Sequence, residues 1–206
     1  MAPQPNKVRP EDAKRPPKNR FGDFCGATAR RVLIRRKNLH KLYRVMKMNI
    51  NKEKLKIYGT SIGLTLVIGG ISSILTNMGM DSYRAAEKPA LTPPEIVFPI
   101  VWTILYILMG ISAARIWQNG DSMQKTKSLR IYLLQLAFNF VWSLLFFNLQ
   151  AYGFAFFWLL GLWALIILMI VSFSKIDKPS AYLQIPYLLW VSFAAYLNFM
   201  VWRLNA

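Results

Sequence analysis

Three groups of aromatic and amide side chains, each within a long apolar run, are the residues of this sequence best suited to binding chemistry. In the first group, Trp102 and Tyr106 are four residues apart in PPEIVFPIVWTILYILMG, and Gly110 follows at the same interval. Residues spaced by four share one face of a helix, so the two rings and Gly110 form a single stripe directed at a neighbouring helix or a ligand. We expect this stripe to form one wall of a pocket.

The other two groups combine tryptophan with asparagine. Asn139 and Trp142 are three residues apart in QLAFNFVWSLLFF, and Trp190, Ala194 and Asn198 are spaced by four. An amide at membrane depth is costly without a partner, which predicts that both asparagines point inward. They would bind either the backbone carbonyls of neighbouring helices or a ligand.

A pocket ringed by Trp102, Trp142 and Trp190 would suit a flat, apolar molecule that carries some polar groups. Tryptophan also concentrates at membrane interfaces, but these three residues lie deeper in their apolar runs than an interfacial belt requires. The sequence therefore favours a binding pocket at these positions.

Other kinds of chemistry find little support. We found no nucleophile and base pair and no phosphate-binding glycine loop, and the interiors of the apolar runs contain no charged residue. Ion-coupled transport normally needs ionisable groups at membrane depth, so a proton- or sodium-driven pump is not expected. With one cysteine, Cys25, and one histidine, His40, no Cys/His metal site can be assembled.

Composition separates a basic leader from an apolar body. The chain has 206 residues, is 54% hydrophobic and carries a net charge of +17. The first 56 residues hold 17 of the 26 Lys and Arg and four of the nine Asp and Glu. No nucleic-acid-binding motif accompanies this charge, so we attribute it to membrane-surface electrostatics and expect no nucleic-acid partner.

Residues 1–54 are predicted to be a poorly ordered leader, and residues 55–206 a membrane domain. Within the leader, residues 29–47 could form a basic amphipathic helix. Alternatives are an organelle-targeting peptide or a start codon assigned too far upstream, because Met46 and Met48 precede the body.

The body predicts an all-α fold, a five-helix transmembrane bundle. Each of five apolar runs approaches the roughly 20 residues that cross a bilayer core. They cover residues 57–78, 94–117, 131–149, 154–173 and 181–204. The link over 150–153 is so short that the third and fourth helices should form an antiparallel hairpin, while 118–130 reads as a polar connection. Gly59 and Gly63 form a GxxxG pattern that lets another helix approach closely, either within the protein, which we favour, or in a dimer.

Three blocks in this order resemble a known family. They are KPALTPPEIVFPIVWTILYILMG, QLAFNFVWSLLFF and PYLLWVSFAAYLNFMVWRLN, which begin at Lys88, Gln135 and Pro186. Together they are similar to the signature blocks of the translocator protein / tryptophan-rich sensory protein family, also called the peripheral-type benzodiazepine receptor family. The resemblance extends from about Leu55 to the end of the chain.

The resemblance implies a five-helix membrane protein, commonly a homodimer, that binds tetrapyrroles such as protoporphyrin IX, benzodiazepine-type ligands and, in animals, cholesterol. It also implies a pocket that opens toward the loop between the first two helices. Its pocket residues fall on Trp102, Asn139, Trp190, Ala194 and Leu197, with Trp142 in the same third-helix motif. Together with the spacing argument, the predicted ligand-binding residues are Trp102, Tyr106, Asn139, Trp142, Trp190, Ala194, Leu197 and Asn198.

We therefore expect a membrane sensor or carrier that binds protoporphyrin IX as a ligand, with no required cofactor. One alternative is an enzyme that promotes light-dependent porphyrin breakdown at Trp102, as implied for some bacterial relatives; the other is a sterol or lipid translocator. Sterol binding is disfavoured because Phe199 occupies the position of the Tyr in the animal cholesterol motif. The sequence favours the bacterial cell membrane, with the mitochondrial outer membrane as the alternative.

Overall fold

The computed structural model describes residues 52–119 and 122–206. The predicted amphipathic helix over 29–47, and all of the leader up to residue 51, lie outside this part of the chain. The described residues form the following helices: α1 (Lys52–Asn77), α2 (Met80–Ala85), α3 (Val97–Asn119), α4 (Ser122–Ser143), a π-helix (Leu144–Asn148), α5 (Tyr152–Ser174), α6 (Lys178–Tyr182) and α7 (Ile185–Leu204).

Five helical segments are long and apolar enough to cross a bilayer, which confirms the predicted all-α fold with five spans. They are Lys52–Asn77, Val97–Asn119, Met123–Asn148, Tyr152–Ser174 and Lys178–Leu204. Such segments are helical because the hydrocarbon core offers no water to backbone N–H and C=O groups, and a helix pairs them internally. The C-termini of α3 and α5 and the N-terminus of α4 lie at one end of the bundle. We call it the basic end.

The core of the bundle is built around α5. Its buried residues recur every three or four positions, so one face of the helix is covered along its whole length. They are Tyr152, Ala155, Leu159, Leu162, Ile166, Met169 and Phe173. This face packs against α4 and α7.

The predicted hairpin of the third and fourth spans is present, with a π-helix at its turn. Trp158 of α5 stacks on Phe138 of α4 with ring centroids 4.4 Å apart, and its indole N–H donates to the Phe138 carbonyl at 2.9 Å. The Leu149 amide donates to the Leu144 carbonyl at 3.0 Å, an i to i+5 bond. The extra residue per turn alters the direction of the side chains at this end of α4.

The polar connection predicted over residues 118–130 is largely helical, so the third span begins earlier than the predicted residue 131. Helix α3 continues to Asn119, and α4 begins at Ser122. Polarity determines how deep a segment lies in a membrane but does not break a helix. Apart from Gly120, the segment consists largely of residues that tolerate a helix well, including Gln, Lys, Met and Leu, and it has no proline.

The GxxxG pattern was also misassigned. A Cβ added at Gly59 or Gly63 would meet nothing within 4 Å, so neither glycine packs against another described part of the chain. The close approach to α1 occurs at Gly110 of α3, where an added Cβ would lie 2.6 Å from the Ile62 Cα. Contact with backbone leaves no flexible side chain that could move aside.

The last span contains a break before its proline. Asp177 caps α6 by accepting the Ser180 amide at 3.1 Å, and Pro186 occupies the first turn of α7. Arg115 of α3 donates to both carboxylate oxygens of Asp177 through two guanidinium nitrogens, at 2.7 and 3.0 Å. This ion pair joins α3 to the start of α6.

Replacing Gly110 with Ala should destabilise the bundle, because the new methyl group forces α1 away from α3. Overpacking of this kind costs about 1 to 3 kcal/mol. Gly63→Ala is the matched control, since its methyl group enters open space and should leave stability unchanged or slightly increased. Denaturant unfolding in detergent micelles measures both variants. Equal stability of the two would contradict the close α1 to α3 contact.

Replacing Asp177 should be costly above about pH 4 and less so in acid. The hydrogen bond from Arg115 lowers the pKa of the Asp177 carboxyl below its usual range. The folded state thus gains stability above the unfolded pKa of about 3.9, and loses it as the pH falls through the depressed folded value.

We expect Asp177→Ala to cost about 2 to 4 kcal/mol at pH 7, since it removes the ion pair and the helix cap. Asp177→Asn keeps a capping oxygen and should cost less. Asp81→Asn is the control, because the Asp81 side chain is 94% exposed. Unfolding curves at pH 7 and pH 3 test this, and a pH-independent cost would contradict it.

Candidate functional site

A cavity of about 520 Å³ lies between α1, α3, α4 with its π-helix, and α7. Five of the eight predicted site residues line it: Trp102, Tyr106, Trp142, Trp190 and Ala194. The stripe on α3, the third-helix motif and the α7 column therefore face one space. The other three, Asn139, Leu197 and Asn198, are buried and are absent from its lining.

Trp102 lies at the centre of the aromatic wall. Its ring centroid is 5.7 Å from that of Tyr106, 6.5 Å from Trp142 and 6.2 Å from Tyr187. These distances fall within or close to the range in which aromatic pairs attract each other. Three electron-rich rings, from α3 and α4, thus form a nearly continuous surface along one side of the cavity.

Tyr106 is fixed from three directions. Its hydroxyl accepts a hydrogen bond from the Asn139 amide at 3.0 Å, and its carbonyl accepts one from the Thr65 hydroxyl at 2.8 Å. A Cβ at Gly69 would lie 2.4 Å from the Tyr106 ring, so α1 needs glycine there. Asn139 therefore orients a lining residue from behind the wall.

Asn198 orients Trp142 in the same way that Asn139 orients Tyr106. The Trp142 indole N–H donates to the Asn198 side-chain oxygen at 3.2 Å, and the Asn198 amide donates to the Tyr152 carbonyl at 2.8 Å. Because both ends of the amide are used within the protein, Asn198 holds α4, α5 and α7 together behind the cavity. Direct contact of Asn139, Leu197 or Asn198 with a ligand stays a prediction.

Trp190 forms the opposite wall and carries a free donor. Its ring packs edge-on against Phe98 at 5.9 Å and lies 5.7 Å from Phe193. The buried indole N–H has no hydrogen-bond partner among the described residues. A buried donor without a partner is unfavourable, and because this N–H is covered, a ligand acceptor would reach it only after the Trp190 ring moved.

The segment between α1 and α3 contributes Met80, Glu95 and Ile96 to the lining, and we call this end of the cavity its mouth. Arg84 of α2 lies 3.0 Å from Glu95 and 3.2 Å from Asp81. The hydrogen bond from Arg84 lowers the pKa of Glu95, so this carboxylate stays ionised at neutral pH. The mouth is charged, whereas the interior is aromatic.

Several contacts hold this segment in place. Tyr83 packs on Phe146 and Phe147 of the π-helix at 5.5 and 5.2 Å. Near the C-terminus, the Asn205 side chain accepts from the Glu87 amide and donates to the Glu87 carbonyl, both at 3.0 Å. The segment is therefore anchored to the π-helix and to the end of α7.

Sequence reasoning missed the contribution of α1 to the site. Its lining residues are small or polar: Gly69, Gly70, Ser72, Ser73, Thr76 and Asn77, with Leu66. A signal was available, because Thr65, Ser72 and Thr76 recur at intervals of seven and four and are buried. Such a polar stripe in an apolar span indicates a face turned toward the protein interior.

The lining supplies aromatic faces and hydroxyl groups, and its carboxylate, Glu95, is already paired with Arg84. Within residues 52–119 and 122–206, no group of three or more His, Cys, Asp or Glu could hold a metal ion. This arrangement is suited to binding a flat molecule by ring contacts, with polar groups at its edge.

Comparison with known proteins agrees with this architecture. Residues 61–203 match the TspO/MBR family. The chain is 36% identical over 158 residues to the tryptophan-rich protein TspO of Chlorobaculum tepidum, covering 76% of this chain and 99% of that protein. Identity to the Archaeoglobus fulgidus protein of the same name is 39% over 150 residues, or 71% and 95% of the two chains.

A mammalian relative is similar over nearly the same length. The translocator protein of Ovis aries is 33% identical over 151 residues, covering 70% of this chain and 89% of the relative. Together with five apolar helices of spanning length, these matches show an integral multi-pass membrane protein. The chain belongs to the TspO/MBR family.

Proposed function

We propose that this protein is a tetrapyrrole-binding sensor or carrier of the membrane, with protoporphyrin IX as the expected ligand. The observation that carries the proposal is the cavity walled by Trp102, Trp142 and Trp190. Its volume of about 520 Å³ lies in the ordinary range of small-molecule sites, about 300 to 1,000 Å³. Flat aromatic ligands gain most from several ring faces held in fixed positions.

The polar groups around the cavity support the same ligand class. A tetrapyrrole combines a broad apolar ring system with ring nitrogens and peripheral carboxylates. The hydroxyls of Ser72 and Ser73 are donors in the lining that could bind such carboxylates. Apart from Glu95, none of the described residues that line the cavity is charged, which favours binding of the apolar ring over transport of an ion.

Titration with protoporphyrin IX in the dark should quench the tryptophan fluorescence of the purified protein in a saturable manner. Trp102→Phe should weaken binding about two- to twelvefold, because it replaces the indole by a smaller ring and loses part of a contact worth about 0.5 to 1.5 kcal/mol. Trp117→Phe is the matched control on the same helix, since Trp117 is 53% exposed and outside the cavity. Absence of saturation, or equal affinity in both variants, would overturn the proposal.

A second candidate function is light-dependent oxidative breakdown of the bound porphyrin. The observation that favours it is the position of Trp102 in contact with Tyr106, Trp142 and Tyr187, a group of rings that can donate electrons to an excited ligand. The reaction would consume dioxygen from solution. It needs no acid and base pair in the protein.

Illumination separates the two functions. If the protein degrades its ligand, the Soret absorption of bound protoporphyrin IX should decay faster in the wild type than in Trp102→Phe, with both samples saturated with porphyrin. An anaerobic sample should show no decay. Equal decay in both proteins and in free porphyrin under air would exclude the enzymatic function and leave dark binding unaffected.

The membrane that contains the protein and its homodimeric state stay predictions. The basic residues Lys175 and Lys178 and the absent sterol-motif tyrosine at Phe199 favour the bacterial cell membrane over the mitochondrial outer membrane. N-terminal sequencing of the native protein distinguishes them, because a leader removed on import would support the mitochondrial alternative.

A further inference from the structure

A second cavity, separate from the tryptophan-lined one, opens between α4 and α5 at the basic end of the bundle. Its volume is about 360 Å³. The two cavities share no lining residue. We call this second cavity the α4–α5 groove, and its polar lining consists of Gln124, Lys127, Ser128, Ser172 and Lys175.

Two lysines line the groove, and neither has an acidic partner among the described residues. Lys127 comes from the first turns of α4 and Lys175 from the end of α5, and neither forms an ion pair among the described residues. Asp177, two positions after Lys175, is already engaged by Arg115 and by Ser180. The groove therefore carries two positive charges that the adjacent carboxylate does not neutralise.

Hydroxyl groups lie between the lysines. The Ser128 and Ser172 oxygens are 2.5 Å apart, and Ser128 is 2% exposed. One hydroxyl hydrogen is used in this contact, whichever serine donates it, so the other hydroxyl still has a hydrogen to donate. Gln124 adds an amide to the same wall. Ammonium groups with hydroxyl and amide donors are the partners that a phosphate group prefers.

The remaining wall is apolar and faces the membrane. Leu168 is 55% exposed and Val171 48% exposed, and both line the groove on α5. On α4, Ile131 lines it, and Leu134, one turn further along, is 48% exposed. A strip of apolar surface thus leads from the lysines toward the middle of the bilayer. An inorganic anion would make no use of this strip.

We propose that the α4–α5 groove binds an anionic glycerophospholipid, with its phosphate between Lys127 and Lys175 and an acyl chain along Leu168 and Val171. The lysines stand where spanning helices end, which is the depth of lipid headgroups. Basic pockets between membrane helices at such depths attract anionic lipids. The site is independent of the proposed function, since it lies outside the tryptophan-lined cavity.

The experiment compares lipid retention by the full chain in detergent micelles, using native mass spectrometry with dioleoyl phosphatidylglycerol and dioleoyl phosphatidylcholine. The double variant Lys127→Gln/Lys175→Gln should lower affinity for phosphatidylglycerol about 30-fold, at roughly one kcal/mol per lysine converted to a ratio. Its affinity for phosphatidylcholine should change much less.

The matched control is Lys125→Gln/Arg130→Gln, which removes the same charge from the same end of α4. Lys125 already contacts Trp117, lying 3.3 Å from its carbonyl and over its ring, and neither Lys125 nor Arg130 lines the groove. Equal loss in both double variants would show general charge attraction and overturn the site. Circular dichroism and gel filtration establish that each variant is folded.

Two further arms identify the source of the phosphate. Leu168→Ala should weaken phosphatidylglycerol binding, because it shortens the apolar wall, and millimolar inorganic phosphate should fail to displace the lipid. Displacement by inorganic phosphate, with no effect of Leu168→Ala, would overturn the lipid assignment in favour of a simple anion site.

Discussion

The fixed position of Tyr106 is the constraint on which the tryptophan-lined cavity depends. Its carbonyl is bonded to Thr65 of α1, its hydroxyl to Asn139 of α4, and its ring lies where Gly69 leaves room. One residue of α3 thus sets the spacing of three helices. Within a membrane, apolar contact with lipid competes with contact between helices, so close packing at small residues and a few hydrogen bonds determine this geometry.

The π-helix at the end of the third span shapes the adjoining end of the cavity. The π-helix at Leu144–Asn148 adds a residue to the last turn of the third span and presents Phe147 to the cavity. A Cβ at Gly79 would meet the Phe147 carbonyl at 2.2 Å, so the start of the connecting segment lies directly on this turn. Local irregularity of this kind is frequent at functional sites. Here the π-helix connects the mouth of the cavity to its aromatic wall.

The aromatic walls could be predicted from the sequence because the residues that form them recur at the spacing of one helical turn. Trp102 and Tyr106, and likewise Trp190 and Ala194, are one turn apart and line the same cavity. The Trp102 stripe correctly directed Gly110 at a neighbour, but the GxxxG pattern could not show that Gly59 and Gly63 have no contact among the described residues. The partner helix decides which glycine is needed, and no single-sequence pattern contains that information.

Helix α4 lines both the tryptophan-lined cavity and the α4–α5 groove, at positions far apart along its length. Trp142 lines the tryptophan-lined cavity, and Ser128, 14 positions earlier, lines the α4–α5 groove. At a rise of about 1.5 Å per residue they lie roughly 20 Å apart along the helix. Screening at physiological salt acts over about 8 Å, so charges in the groove have little direct effect on a ligand beside Trp142. Any coupling between the two sites would therefore need movement of α4 itself.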